Sequence, residues 1–201
     1  MDNYEGGSSK LEQLLELVEE ACASGKRILI FSQFTSMLQI IANSLEQEGI
    51  EHFHLDGSTP SKERVSLCHR FNEGERQVFL ISLKAGGTGL NLTGADTVIL
   101  YDLWWNPAVE EQAAGRAHRM GQKQVVQVIR LVTKGTVEEK ILALQERKRI
   151  LMNEVVSAES AESIDLMDSD STDSLNSKDS MDSLTTMTTL TEEDVRSLLM
   201  I

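Results

Sequence analysis

Five short apolar runs recur along this chain with helical segments between them: RILIF (27–31), EHFHL (51–55), VFLIS (78–82), TVILY (97–101) and VVQVIRLV (125–132). EHFHL alternates weakly, whereas the other four are nearly unbroken. Unbroken apolar runs of strand length belong to strands buried on both faces, and strands alternating with helices form parallel sheets. The expected fold is therefore α/β: a parallel sheet of at least five strands with helices on both faces. In such folds ligands sit beyond the carboxyl ends of the strands. The unusual loops of this sequence fall there.

The intervening segments carry helix punctuation. Leu11, Leu14, Leu15, Val18 and Cys22 repeat at helical spacing over 10–23 and stop at Gly25; Leu38, Ile41 and Leu45 do so over 35–48 and stop at Gly49. Thr59–Pro60 reads as a cap followed by proline at the first helical position, opening a helix that closes near Gly74. Asn106–Pro107 repeats that pattern for a helix over 108–120, with Glu110 and Glu111 in the first turn, where the helix dipole favours acids. Thr136-Val-Glu-Glu139 is a capping box for a long helix reaching about Val156.

Charge divides the chain further. The formal net charge is −13, yet residues 157–201 hold eleven acids against two bases, while residues 112–149 hold nine Lys and Arg against three Glu. Residues 1–9 are expected to be a flexible N-terminus and 10–156 a domain. Residues 157–190 read as a disordered acidic linker rich in Ser, Asp and Thr, and 191–201 as a short C-terminal helix. No apolar run approaches the ~20 residues that span a bilayer, and the first residues have neither a basic start nor an apolar h-region. Cys22 and Cys68 fall at apolar helical positions and read as reduced, buried thiols of an intracellular protein without membrane contact. His52 and His54 share one strand face, and no histidine has a partner at metal-ligand spacing, so no metal site is expected.

Three stretches carry chemistry. SLKAGGTGLNL (82–92) packs three glycines into four residues after a strand, which suits backbone amides turned toward an anion, or simply a flexible turn. It is neither a Walker A loop nor a dinucleotide fingerprint. YDLWWNP (101–107) holds both tryptophans, of which one is expected to plug the core and the other to stack on a base or a neighbouring domain. In QAAGRAHRMGQ (112–122), Gln112, Arg116 and Arg119 share a helix face, and two guanidinium forks beside a glutamine can embrace a triphosphate. A solvated basic face is the plainer reading, but the stretch lacks the acids such a face would carry.

FSQFTSML (31–38), HLDGST (54–59), SLKAGGTGLNLTGAD (82–96), DLWWNP (102–107) and QAAGRAHRMGQ (112–122) together resemble, in order and spacing, the second motor lobe of the Swi/Snf-type ATP-dependent DNA translocases of helicase superfamily 2. The resemblance covers about residues 10–156. It implies a RecA-like lobe in which Arg119 is the arginine finger, Arg116 its phosphate-facing companion, and Gln112 and Gly87 complete the nucleotide side. It places Ser32, Gln33, Thr88, Asn91 and Trp105 along the DNA backbone or in the coupling of DNA contact to hydrolysis. The implied partners are double-stranded DNA and a first RecA-like lobe, in cis or in trans. The implied cofactor is ATP with Mg2+, held mainly by that first lobe, because Walker A and DExx motifs are absent here. On this reading the chain is half of a motor, inactive alone. A stand-alone interaction module with the same fold is the alternative, and a small domain binding nucleotide by itself is a third.

Overall fold

Backbone direction and burial in the computed structural model, which describes residues 8–86, 89–117 and 126–165, give eleven elements in chain order. They are α1 (Ser9–Ala23), β1 (Ile28–Ser32), α2 (Thr35–Gln47), β2 (His52–Leu55), α3 (Ser61–Asn72), β3 (Val78–Ser82), α4 (Leu83–Gly86), β4 (Thr97–Leu100), α5 (Pro107–Ala114), β5 (Gln127–Arg130) and α6 (Val137–Asp165). All four strand pairings are parallel, in the order β2-β3-β1-β4-β5. Every expected strand is present. β1, β3 and β4 are buried at every residue, as unbroken apolar runs require, whereas β5 at the sheet edge leaves Gln127 and Val128 exposed.

Side chains of successive strand residues point to opposite faces, so β1 serves two cores. Ile28 and Ile30 join Leu14 and Val18 of α1 and Leu38, Ile41 and Leu45 of α2. Leu29 and Phe31 join Phe53, Leu55, Leu67, Phe71, Phe79, Ile81 and, from the α5 side, Ala113 and Ala117. Helices thus cover both faces of the sheet.

Helix ends follow the expected glycines. Gly25 and Gly49 adopt φ of 71° and 72°, and the next residues close the helix with backbone bonds, Lys26 N–H to Ala21 O and Ile50 N–H to Leu45 O. Two boundaries differ from expectation. Pro60 is the N-cap of α3 with ψ of 147°, so the helix starts one residue later than a proline in the first turn predicts. Thr59 is instead committed to the preceding loop, its hydroxyl accepting the Asp56 N–H.

The described residues divide into two compact units, one made of those up to Trp104 with those in 109–134, the other of Trp105–Ala108 with those from Gly135 on. In the second, Thr136 caps α6: its hydroxyl accepts the Glu138 N–H, and the Glu139 carboxylate reaches back to the Gly135 N–H. The helix continues to Asp165, nine residues past the expected end. SAESAESID has no Gly or Pro and is rich in Ala and Glu, which sustain a helix. The expected linker beyond Asp165 and the C-terminal helix lie outside the described residues. Among the described residues, no helix is long and apolar enough to cross a membrane.

Candidate functional site

Beyond the carboxyl end of β1, the Ser32 hydroxyl donates to the Asp102 carboxylate, and the Gln33 N–H reaches the same oxygen at 3.3 Å. Ser32 Oγ also accepts the Phe34 N–H. Ser32 is therefore fully buried and acts as a brace between the ends of β1 and β4, while Gln33 is half-buried and Phe34 is 54% exposed. Surface contact at this strand end falls to Gln33 and Phe34. Phe34 lies within the FSQFTSML stretch, which suggests roles only for Ser32 and Gln33.

The glycine-rich segment leaves β3 through the single turn of α4, where Ser82 Oγ accepts the Ala85 N–H. Gly87 and Thr88 lie outside the described residues. The segment re-emerges at Gly89, and its exit is held by a residue that sequence reasoning missed. Asn72, the last residue of α3, donates to the Asn91 carbonyl at 3.0 Å and accepts the Gly94 N–H at 2.9 Å. Arg27 in turn donates to the Asn72 carbonyl at 2.9 Å, and its own N–H is held by Asp96. Asn91 is left with an exposed side chain on a fixed backbone. Nothing local to position 72 announces this, because each partner is at least nineteen residues away.

α5 begins as expected, with Pro107 in its first turn and Asn106 Oδ1 accepting the Ala108 N–H. It ends sooner. The expected helix over 108–120 stops at Ala114, and Arg116 lies in a following turn, its N–H bonded to Ala113 O at 3.2 Å and that of Ala117 to Ala114 O at 3.1 Å. Gly115 supports the helix poorly, and Ala117 is drawn into the core with no exposed surface. Gln112 is exposed and Arg116 half-buried; His118 and Arg119 lie outside the described residues, so the shared face of all three expected side chains does too. One bond joins this turn to the glycine-rich exit: the Leu92 N–H donates to the Arg116 carbonyl at 3.1 Å.

Neither tryptophan is a core plug, contrary to the expectation for one of them. Leu103, 2% exposed, fills that role, and Trp104 and Trp105 are both half-buried. An indole is large enough that it is seldom enclosed completely, whereas a leucine often is. Within the second unit the Lys148 ammonium sits 5.1 Å from the Trp105 ring centroid, a cation–π contact. Glu110 is more than a dipole partner. It is fully buried, and its carboxylate accepts the Trp104 N–H and Arg130 Nε, each at 2.9 Å.

The HLDGST loop is knotted by its own polar groups. Asp56 Oδ1 accepts the Ser58 N–H and hydroxyl, and Arg64 of α3 donates to the carbonyls of Thr59, Asp56 and Gly57. The Ser58 hydroxyl is the main cause holding the Asp56 carboxyl below its ordinary range. His54 faces Asp56 at 3.7 Å, yet burial outweighs that charge and pushes the imidazole below its ordinary value. A groove of about 510 Å³ runs between α3 and residues 89–91, lined by Arg64, Val65, Cys68 and Leu90 among others. Among the described residues, no group of three or more His, Cys, Asp or Glu could hold a metal ion.

Residues 9–121 match the helicase conserved C-terminal domain. The chain is similar to the putative ATP-dependent helicase/translocase YwqA of Bacillus subtilis, 45% identical over 156 residues, 77% of this chain and 17% of that protein. It is likewise similar to Helicase SWR1 of Mycosarcoma maydis, 45% identical over 148 residues, 73% of this chain and 8% of that protein. The chain thus spans less than a fifth of the length of these relatives. Among solved structures, the C-terminal part of the Fun30 ATPase domain is 38% identical with a TM-score of 0.67, over 72% of this chain and 48% of that one.

Proposed function

Because the chain belongs to the helicase conserved C-terminal domain family and has its RecA-like fold, we propose that it is the second motor lobe of an ATP-dependent double-stranded DNA translocase. The observation that carries this reading is the Leu92–Arg116 backbone bond. It ties the exit of the glycine-rich segment to the arginine turn, so that two stretches 24 residues apart form one surface at the carboxyl end of the sheet. Gln33, Thr88, Asn91 and Trp105 face or flank the DNA, with Ser32 bracing the loop beneath Gln33. Gln112, Gly87, Arg116 and Arg119 face the nucleotide.

ATP with Mg2+ fits this side as a shared ligand. A half-buried guanidinium and an exposed carboxamide are donors for phosphate oxygens and cannot cage a metal. The reading therefore gives the metal and the phosphate loop to a first lobe. When bound, ATP supplies the phosphoryl group whose transfer to water drives the motor. Arg119 answers the charge that develops on that group, and Arg116 and Gln112 orient it.

Mixing this chain with a separately expressed first lobe and duplex DNA, then measuring phosphate release, tests the reading. Arginine fingers contribute roughly 10³–10⁵ in rate, and lysine keeps the charge but not the fork, so Arg119→Lys and Arg119→Ala should both abolish most turnover. Duplex affinity should change by less than about tenfold, since one phosphate-type contact is a small part of binding. Full rescue of either variant at saturating DNA and ATP would move Arg119 from the nucleotide to the DNA side.

A further inference from the structure

Three chain segments meet at the Glu110 carboxylate. Glu110 itself belongs to the first turn of α5, the Trp104 N–H on Oε1 belongs to the loop after β4, and Arg130 on Oε2 belongs to β5. An ionised carboxylate is costly to bury, and it persists where charge and hydrogen bonds answer both oxygens, as they do here. A helix-dipole role would have been served by an exposed acid. Full burial with two directed bonds makes the side chain a joint.

What the joint connects is specific. The loop after β4 carries the tryptophans, on the DNA side of the proposed function. α5 carries Gln112 two residues beyond Glu110 and leads directly into the Arg116 turn, on the nucleotide side. We propose that Glu110 is a positioning residue that transmits DNA contact to the arginine turn: displacement of the loop at Trp104 passes through the carboxylate to α5, with Arg130 anchoring the carboxylate to the sheet. The inference rests on the proposed function for the identity of the two ends, and on the geometry for the link.

Two variants test it on the full chain. Glu110→Gln keeps an acceptor for the Trp104 N–H but offers Arg130 no charge. The double variant Glu110→Met with Arg130→Met replaces the pair by apolar side chains, a change that buried ion pairs often tolerate without loss of fold, and severs both bonds. Trp104 and Trp105 are the only tryptophans, so intrinsic fluorescence reports on this loop alone. With helix content unchanged by circular dichroism, acrylamide should quench the double variant about twofold more readily than the parent, as a locally released segment would be. In the motor assembled with a first lobe, the ratio of DNA-stimulated to basal turnover should fall by roughly 5- to 150-fold, the usual span of coupling between sites, with duplex affinity nearly unchanged. A folded double variant with parental quenching, or with a parental stimulation ratio, overturns the proposal. If the parent itself shows no DNA-stimulated turnover, the proposed function fails, and the quenching measurement alone decides the link.

Discussion

A methyl group at position 94 would stand 2.9 Å from Asn72 Cα, Asn72 Oδ1 and an Arg27 guanidinium nitrogen. The first of these is backbone and cannot swing aside. Gly94→Ala must therefore push apart α3 and the glycine-rich exit, or break the Asn72 bond to its N–H. Overpacking of this kind costs about 1–3 kcal/mol, and urea unfolding should show that loss; a change under ~0.5 kcal/mol would mean the two segments slide freely. Cys68 makes a different demand. Burial pushes its thiol from 9.0 to about 11. Between those values the unfolded chain has already lost the proton that the folded chain retains, so stability is intact below pH 9 and falls as pH rises toward 11. Urea midpoints measured across that window should decline, and Cys68→Ala should flatten the decline. An identical slope in the variant would assign it to other groups.

The helix termini show how local and distant chemistry divide the work. Thr136→Ala removes the hydroxyl that accepts the Glu138 N–H, and should cost about 1 kcal/mol in a urea titration, with Thr136→Ser close to the parent. That cap was legible in four consecutive residues, as were the glycine stops and the five strands, because each depends on neighbours within a turn or on burial of a whole run. The premature end of α5 was not legible. It is decided by Ala117 seating in the core beneath Phe31 and its neighbours, a tertiary choice that overrides the continued helical spacing of the arginines. The candidate site divides likewise. Its motifs stood out as composition, but Asn72, Arg27 and Arg64, which hold the loops in place, act on partners across the fold and have no sequence pattern of their own. Glu110 stands in the first turn of α5, as its position predicts, but its bond to Arg130, on a strand twenty residues later, has no local signal.

For the whole chain, the division of labour proposed here predicts silence from an isolated preparation. With the phosphate loop supplied by another lobe, purified protein should release no phosphate from ATP, with or without DNA, and DNA-stimulated turnover by the chain alone would defeat the half-motor reading. The order of the sheet has a further consequence, in the time domain of synthesis. β1 lies at the centre of the sheet but is the first strand made. Its Ile28 must wait for Val78 on one side and Thr97 on the other. At the usual 5–20 residues per second, roughly fifty residues of further translation leave ILIF without either sheet partner for several seconds. α1 and α2 flank β1 in sequence and can shield only one of its faces early, while Leu29 and Phe31 stay open until α3, β3 and β4 arrive. The nascent chain should therefore be most prone to aggregation or chaperone capture when it ends between α2 and β4, and slowing translation there should lower soluble yield.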